Sequence, residues 1–264
     1  MFFEYFPQLA YAALIAAFTW SLLTGVVAHF AVFRLRVFDG LAKFPLAPPF
    51  VSVPAIMFTF MMAFMASEAW QNIGQARAAL IAESTAVARI SAVPVRPEAA
   101  QRQSQAMLRQ YLDAAIDEEW KTHFNQRGSA KAEAAVARLE AGIWSANSLC
   151  ETQSARGATC SDALVTTTYV KAVDDLRMAR HQRLSLGFQG TLVLKWALAI
   201  GLALVTALSI AAVHRSNQRT AAIAQVLFCL ATWMTFTMVA THIHPYRGPD
   251  ALSPVPLQEL RAAL

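Results

Sequence analysis

Charged side chains are scarce in this sequence. Asp, Glu, Lys and Arg make up 15% of its 264 residues and apolar residues 56%, a balance that excludes an ordinary soluble domain and calls for membrane segments. A clustered basic stripe is also missing. The formal net charge of +5 is spread along the chain and the aromatics lie in apolar runs, which argues against nucleic acid as a partner, since that needs an array of phosphate contacts. Met1-Phe2-Phe3-Glu4 lacks the basic start of a signal peptide, and the run that follows has no small-residue cleavage site, so the first segment is expected to be retained. No internal repeat, low-complexity tract, nucleophile–base spacing or metal-ligand spacing is present, so neither an enzyme nor a cofactor is expected.

The apolar residues fall into four runs. Leu9 to Phe33 is uncharged over a length that can cross a bilayer core of ~30 Å, which takes about 20 helical residues. A connector with Pro45, Pro48 and Pro49 leads to Pro54, a residue suited to the first turn of a second helix. That helix is apolar from Ala55 to Ala66 and keeps a helical pattern until Pro94, with a polar face starting at Gln71 and Asn72. Thr191 to Val213 and Ala221 to Ala240 complete the set, Lys195 lying near enough to one end to snorkel. Between Pro97 and Gly187 the apolar spacing is helical, and strand alternation is absent. Three helices are expected there, carrying Leu108, Leu112, Ala115 and Trp120, then Val136, Leu139 and Ile143, then Tyr169, Val173 and Leu176.

The expected fold is therefore all-α: a polytopic membrane protein with four transmembrane helices and a helical bundle inserted between the second and third. In residue ranges, 1–66 holds the first two membrane helices and a cytoplasmic connector, 67–189 the extramembrane bundle, 190–242 the last two membrane helices, and 243–264 a tail. Arg34, Arg36, Lys43, Arg215 and Arg219 place the two short loops in the cytoplasm. A multi-pass protein of the inner membrane follows, with both termini and the bundle on the periplasmic or extracellular side. Cys150 and Cys160 bracket a polar loop, Glu151 to Thr159. They are read either as a disulfide, which suits an oxidising compartment, or as two free thiols; Cys229 is read as inert packing.

Charges that share a face with apolar residues are the most informative feature. Phe58, Met62, Met65, Ala69, Ile73, Ala76, Leu80, Glu83, Val87 and Ile90 recur at three- and four-residue steps, so Glu83 points into the seam. Tyr169, Val173, Leu176, Arg180 and Arg183 recur likewise, and Glu119 shares a face with Leu112 and Ala115. An unpaired inward charge is costly, so Glu83 is expected to meet Arg180 or Arg183. A diiron or proton-relay role for the two carboxylates is the alternative, but the Glu-x-x-His pairs of diiron bundles are absent. Met57, Met61, Phe64 and Glu68 form a second face on the membrane half of the long helix. Several copies around an axis would turn that face into an apolar constriction capped by carboxylates; packing against the other helices, with Glu68 at the interface, is the alternative. His29, His214, His242 and His244 are read as interfacial rather than as haem ligands.

Four stretches carry a resemblance. They are "ARAALIAESTAVARI" around Glu83, "YLDAAIDEEW" from Tyr111 to Trp120, "DDLRMARHQRL" ending at Leu184, and "HPYRGPDALSPVPL" from His244 to Leu257. In this order and spacing the chain resembles the bestrophin-like domain family of bacterial and plant membrane proteins. The resemblance implies a relationship to bestrophins, pentameric anion channels with a hydrophobic neck on their second membrane helix. Bestrophins hold their large helical region in the cytoplasm, unlike the sidedness expected here, and their acidic calcium clasp has no counterpart in this sequence. The resulting expectation is an oligomeric, channel-like protein in the lipid bilayer, conducting small ions along its second membrane helix. The alternative is a non-catalytic accessory or structural subunit that docks onto a larger membrane complex through its helical domain.

Overall fold

In the computed structural model, residues 6–35, 49–96, 98–153, 163–188, 193–248 and 251–264 are described. Helices account for nearly all of them, in the order α1 (Phe6–Phe33), α2 (Pro49–Ala92), α3 (Glu98–Asp113), a π-helical segment (Ala114–Thr122), α4 (Ala130–Gln153), α5 (Ala163–Phe188), α6 (Val193–Val213), α7 (Gln218–His242) and α8 (Val255–Ala263). No strand occurs among the described residues. Four stretches are long and apolar enough to cross a membrane: Leu14–Phe33, Pro49–Ala92, Ala163–Val213, which contains α6, and Gln218–His242. The chain is a multi-pass membrane protein on this evidence.

Two expectations about element ends need correction. Pro54 does not open α2: the helix starts at Pro49, and Pro54 lies inside it. A helix tolerates this so near its start because proline's fixed φ is already helical and only the bond to the carbonyl of Phe50, four residues back, is forgone. The loop expected from Glu151 starts late, because α4 runs on to Gln153. The Cys150–Cys160 pairing falls outside the described residues, which include neither Cys160 nor the side chain of Cys150.

The chain divides into two compact units, Met1–Gln71 with Gly190–Asp250, and Asn72–Gln189 with Ala251–Leu264. In the first, Phe58, Met62 and Met65 of α2 share a core with Ala17 of α1, Ala199 and Ala203 of α6, and Phe236 and Val239 of α7. The Phe236 ring stands edge-on to Phe58 at 5.9 Å and to Trp196 at 5.9 Å, the favoured aromatic geometry. Small residues set the spacing. Ala199, Ala203, Ala207 and Ala211 recur every four residues on α6 with no exposed surface, the small-residue face by which helices approach closely in lipid. Between α1 and α7, a Cβ on Gly25 would lie 2.6 Å from Cys229 Sγ. Cys229 and Trp233 donate hydrogen bonds back to α1, to the carbonyls of Ser21 and Leu14.

In the second unit, Leu80, Val87 and Ile90 of α2 are buried, as are Leu108 and Leu112 of α3, Ile116 of the π segment, Val136, Leu139 and Ile143 of α4, and Tyr169, Val173 and Leu176 of α5. Three- and four-residue spacing puts each set on one helical face. The C-terminal segment joins this unit: Leu257 of α8 is fully buried, Trp120 Nε1 donates to the Leu252 carbonyl at 3.3 Å, and Arg261 lies 3.3 Å from both Asp113 and Asp117. Gly187 of α5 sits where a Cβ would come within 2.1 Å of the Asn125 carbonyl oxygen. Backbone cannot swing aside as a flexible side chain can, so Gly187→Ala is expected to lower stability by about 1–3 kcal/mol. A thermal melt of the purified protein in detergent reads this as a lowered midpoint; an unchanged midpoint contradicts the close approach.

Candidate functional site

The inward-facing charges of the second unit meet in one cluster. Arg183 of α5 has no exposed surface and reaches two carboxylates, Glu83 of α2 through Nε at 2.5 Å and Nη2 at 3.0 Å, and Glu119 of the π segment through Nη2 at 2.7 Å. The Trp120 ring lies beneath its guanidinium, 5.3 Å away, adding a cation–π contact. One turn back on α5, Arg180 donates to Glu119 Oε1 through Nε at 3.0 Å and Nη2 at 2.7 Å, and also pairs with Glu133 of α4. Glu83 thus pairs with Arg183, and Glu119 is shared by both arginines. The two buried carboxylates balance the two arginines, with Glu133 a further, solvent-exposed carboxylate at the edge, and each buried ion keeps a hydrogen-bonded partner of opposite charge, the condition for burying charge at tolerable cost.

Neutral groups that no periodicity or charge pattern singles out complete the cluster. Tyr111 of α3 donates its hydroxyl proton to Glu83. Asn125 presents Oδ1 to Arg183 Nη1, an orientation fixed by chemistry because a guanidinium can only donate. It reaches that position through a tight turn after the π segment, in which Phe124 (φ 50°) and Asn125 (φ 57°) both adopt the left-handed region, one that asparagine tolerates better than most residues. Ser129 caps α4, its Oγ accepting from Lys131 N at 3.1 Å. Its own backbone N–H donates to Glu119 Oε1 at 2.8 Å, so the carboxylate also sits at the positive end of a helix. A polar residue before a helix is a legible cap; which buried acid it serves is set only in three dimensions.

Burial works against ionising Glu119, but the charges of Arg183 and Arg180 with the Arg180 and Ser129 hydrogen bonds outweigh it and hold the carboxyl below its usual range. Burial and then the Glu83 charge push the Tyr111 phenol well above its ordinary value, keeping it a proton donor. On Arg183 burial again opposes the charge, and Glu83, Tyr111 and Glu119 together raise its pKa further. The cluster is built to stay fixed in charge. No group of three or more His, Cys, Asp or Glu side chains able to hold a metal occurs among the described residues.

On the membrane part of α2, the second face lies away from the core. Phe64 is 71% exposed and Met57 56% exposed, and Phe60 adds to the exposed strip, whereas Met61 is half-buried and packs against the core. Glu68, at the end of this face, pairs with Lys195 of α6 through both carboxylate oxygens, at 2.7 and 2.5 Å. Lys195 is therefore a partner to that carboxylate as well as a snorkelling side chain, a pairing visible only once α2 and α6 are side by side. Of the histidines, His29 lies between Gln225 at 3.1 Å and Gln218 at 3.2 Å, and His242 Nδ1 lies 2.8 Å from the Met238 carbonyl.

A family model for the bestrophin-like domain matches residues 19–257. The chain belongs to the bestrophin-like domain family. Among solved structures, a variant of a bacterial bestrophin homologue from Klebsiella pneumoniae is similar with a TM-score of 0.65 at 12% identity, over 94% of this chain and 96% of that one. Another structure of a bacterial bestrophin homologue from the same organism gives 0.63 at 13% identity, over 94% and 95%. At such identity the likeness establishes a shared fold. Comparison with curated proteins yields no match. Membership agrees with the four long apolar stretches in making this bestrophin-like protein a multi-pass protein of the membrane.

The cluster also sets how the bestrophin-like protein responds to acid. A carboxyl with a lowered folded pKa contributes stability that is complete above its unfolded value, about 4.3 for glutamate, and lost as the pH falls through the folded value. Glu119→Gln is therefore expected to melt lower than wild type near neutral pH and to show a shallower loss below about pH 4. Melts recorded across that range check this. A variant with an acid limb as steep as wild type would show that Glu119 is not among the groups responsible.

Proposed function

We propose that this bestrophin-like protein is an oligomeric channel in which the membrane part of α2 lines the permeation path, with Phe64 and its neighbours Met57 and Met61 forming an apolar gate. The observation that carries this reading is the apolar face of α2 left outside the core, with Phe64 at its centre. Lipid accepts such a face, but so does the axis of a ring of copies, where large apolar side chains make a constriction that holds back ions by excluding water. Glu68, paired with Lys195, sits two turns from Met61 at the end of that strip. A ring of such pairs offers passing ions both signs of charge instead of a bare ring of carboxylates. Family membership and the shared fold add support, since the resemblance to bestrophins implies a hydrophobic neck on the second membrane helix. On this reading residues 67–189 form an extramembrane bundle on the periplasmic side, and the Glu83, Glu119, Arg180 and Arg183 pairs hold it together without taking part in conduction.

Reconstitution into a planar bilayer tests the proposal. Purified protein is expected to give discrete currents, and Phe64→Ala, by widening the apolar ring, to raise the open probability severalfold without loss of the assembled oligomer. Wild-type protein that stays silent across pH, calcium and voltage rejects the channel reading. Currents that Phe64→Ala leaves unchanged keep the channel and reject this gate.

A further inference from the structure

A groove of about 560 Å³ runs along the outer surface between α1 and α7. Its two ends differ in chemistry. Over most of its length it is apolar: Phe18, Val26 and Phe30 of α1 face Val226 and Leu230 of α7, all five exposed. These helices run antiparallel, since Trp233 contacts Leu14 and Gln225 contacts His29. At 1.5 Å per residue, Phe18 to Phe30 covers ~18 Å, close to the ~15 Å of one leaflet of a bilayer core.

At the other end the lining turns polar and then cationic. His29 sits between the side-chain amides of Gln225 and Gln218. Its Nδ1 lies against Gln225 Oε1 and its Nε2 against the Gln218 amide nitrogen. Arg34 closes the groove. Its backbone N–H donates to the Phe30 carbonyl at 2.9 Å, carrying the turn just past α1, and its side chain is exposed and lines the groove's end. Arg219, in the first turn of α7, is exposed at the same end. No aspartate or glutamate occurs anywhere in α1, α6, α7 or the turn His214–Asn217, so nothing on these helices offsets the two arginines.

From this juxtaposition we infer that the α1–α7 groove is a binding site for one anionic phospholipid, an acyl chain lying along Phe18 to Phe30 and the phosphate facing Arg34 and Arg219. Charge complementarity selects an anionic head group: an arginine near a membrane surface favours an anionic lipid over a zwitterionic one about fivefold. The polar step at His29, Gln218 and Gln225 falls where the glycerol and ester groups of such a lipid would lie.

Native mass spectrometry of the full-length protein in detergent, titrated with dioleoyl phosphatidylglycerol or dioleoyl phosphatidylcholine, tests this. Wild type is expected to bind phosphatidylglycerol at least about fivefold more tightly. Arg34→Gln combined with Arg219→Gln, two surface changes that leave the packing intact, is expected to bring the two lipids close to parity. Ala222→Phe, which places a ring inside the groove, is expected to remove the retained adduct for both. Equal binding of the two lipids by wild type, or a preference that survives the removal of both arginines, overturns the proposal. So does an Ala222→Phe protein that keeps its lipid while its oligomer dissociates, which would give the groove to a second copy of the chain.

Discussion

Arg183 is a guanidinium with no contact with water, and the second unit is arranged around the need to satisfy it. Stranding that cation without a partner would cost about 3–5 kcal/mol, a large share of a domain's net stability. Every element that supplies a partner is fixed by that demand: α2 through Glu83, α3 through Tyr111 and the π segment through Glu119. The turn at Asn125 is held in an uncommon backbone conformation for the same reason. Gly187 lets that turn press against α5. Apolar packing supplies most of the energy, but packing alone is permissive about register. A buried ion that must find two carboxylates is not.

The long second helix carries two environments along one continuous stretch of backbone. Its first part contributes Phe58, Met62 and Met65 to an apolar core and leaves Phe64 outside it. Its second part contributes Glu83 to a charged one. The helix is unbroken at Glu68, where both carboxylate oxygens are taken up by Lys195. That pairing gives Glu68 a partner within the chain, so the carboxylate at the end of the strip is not left bare. Phe64, Met57 and Phe60 stay exposed beside it, an apolar surface that lipid accepts.

Much of the fold was legible because lipid imposes long uninterrupted apolar runs, and these were visible at Leu9–Phe33, Ala55–Ala66, Thr191–Val213 and Ala221–Ala240. Inward charges were legible for a similar reason: Glu83, Glu119, Arg180 and Arg183 interrupt apolar periodicity at helical spacing. Which acid meets which base was not, because partners 100 and 61 residues apart in the chain are chosen by helix placement. Tyr111, Asn125 and Ser129 were hidden by their ordinary surroundings in sequence. The π segment, nine residues long, escaped because its slightly wider winding leaves the apolar spacing of Leu112, Ala115, Ile116 and Trp120 almost as an α-helix would have it. Helix α8 is short, and its reason to be helical is its burial of Leu257 against the second unit.

Arg183 and Glu83 hold the second unit together as a pair and not as independent residues. A double-mutant cycle on denaturation of the second unit tests it, using Glu83→Leu, Arg183→Met and their combination. Each single change is expected to cost about 3–5 kcal/mol by stranding a buried charge, and the combined variant clearly less than the sum of the two. Strictly additive losses would contradict it, and with it the view that this ion pair sets the register of the helices around it.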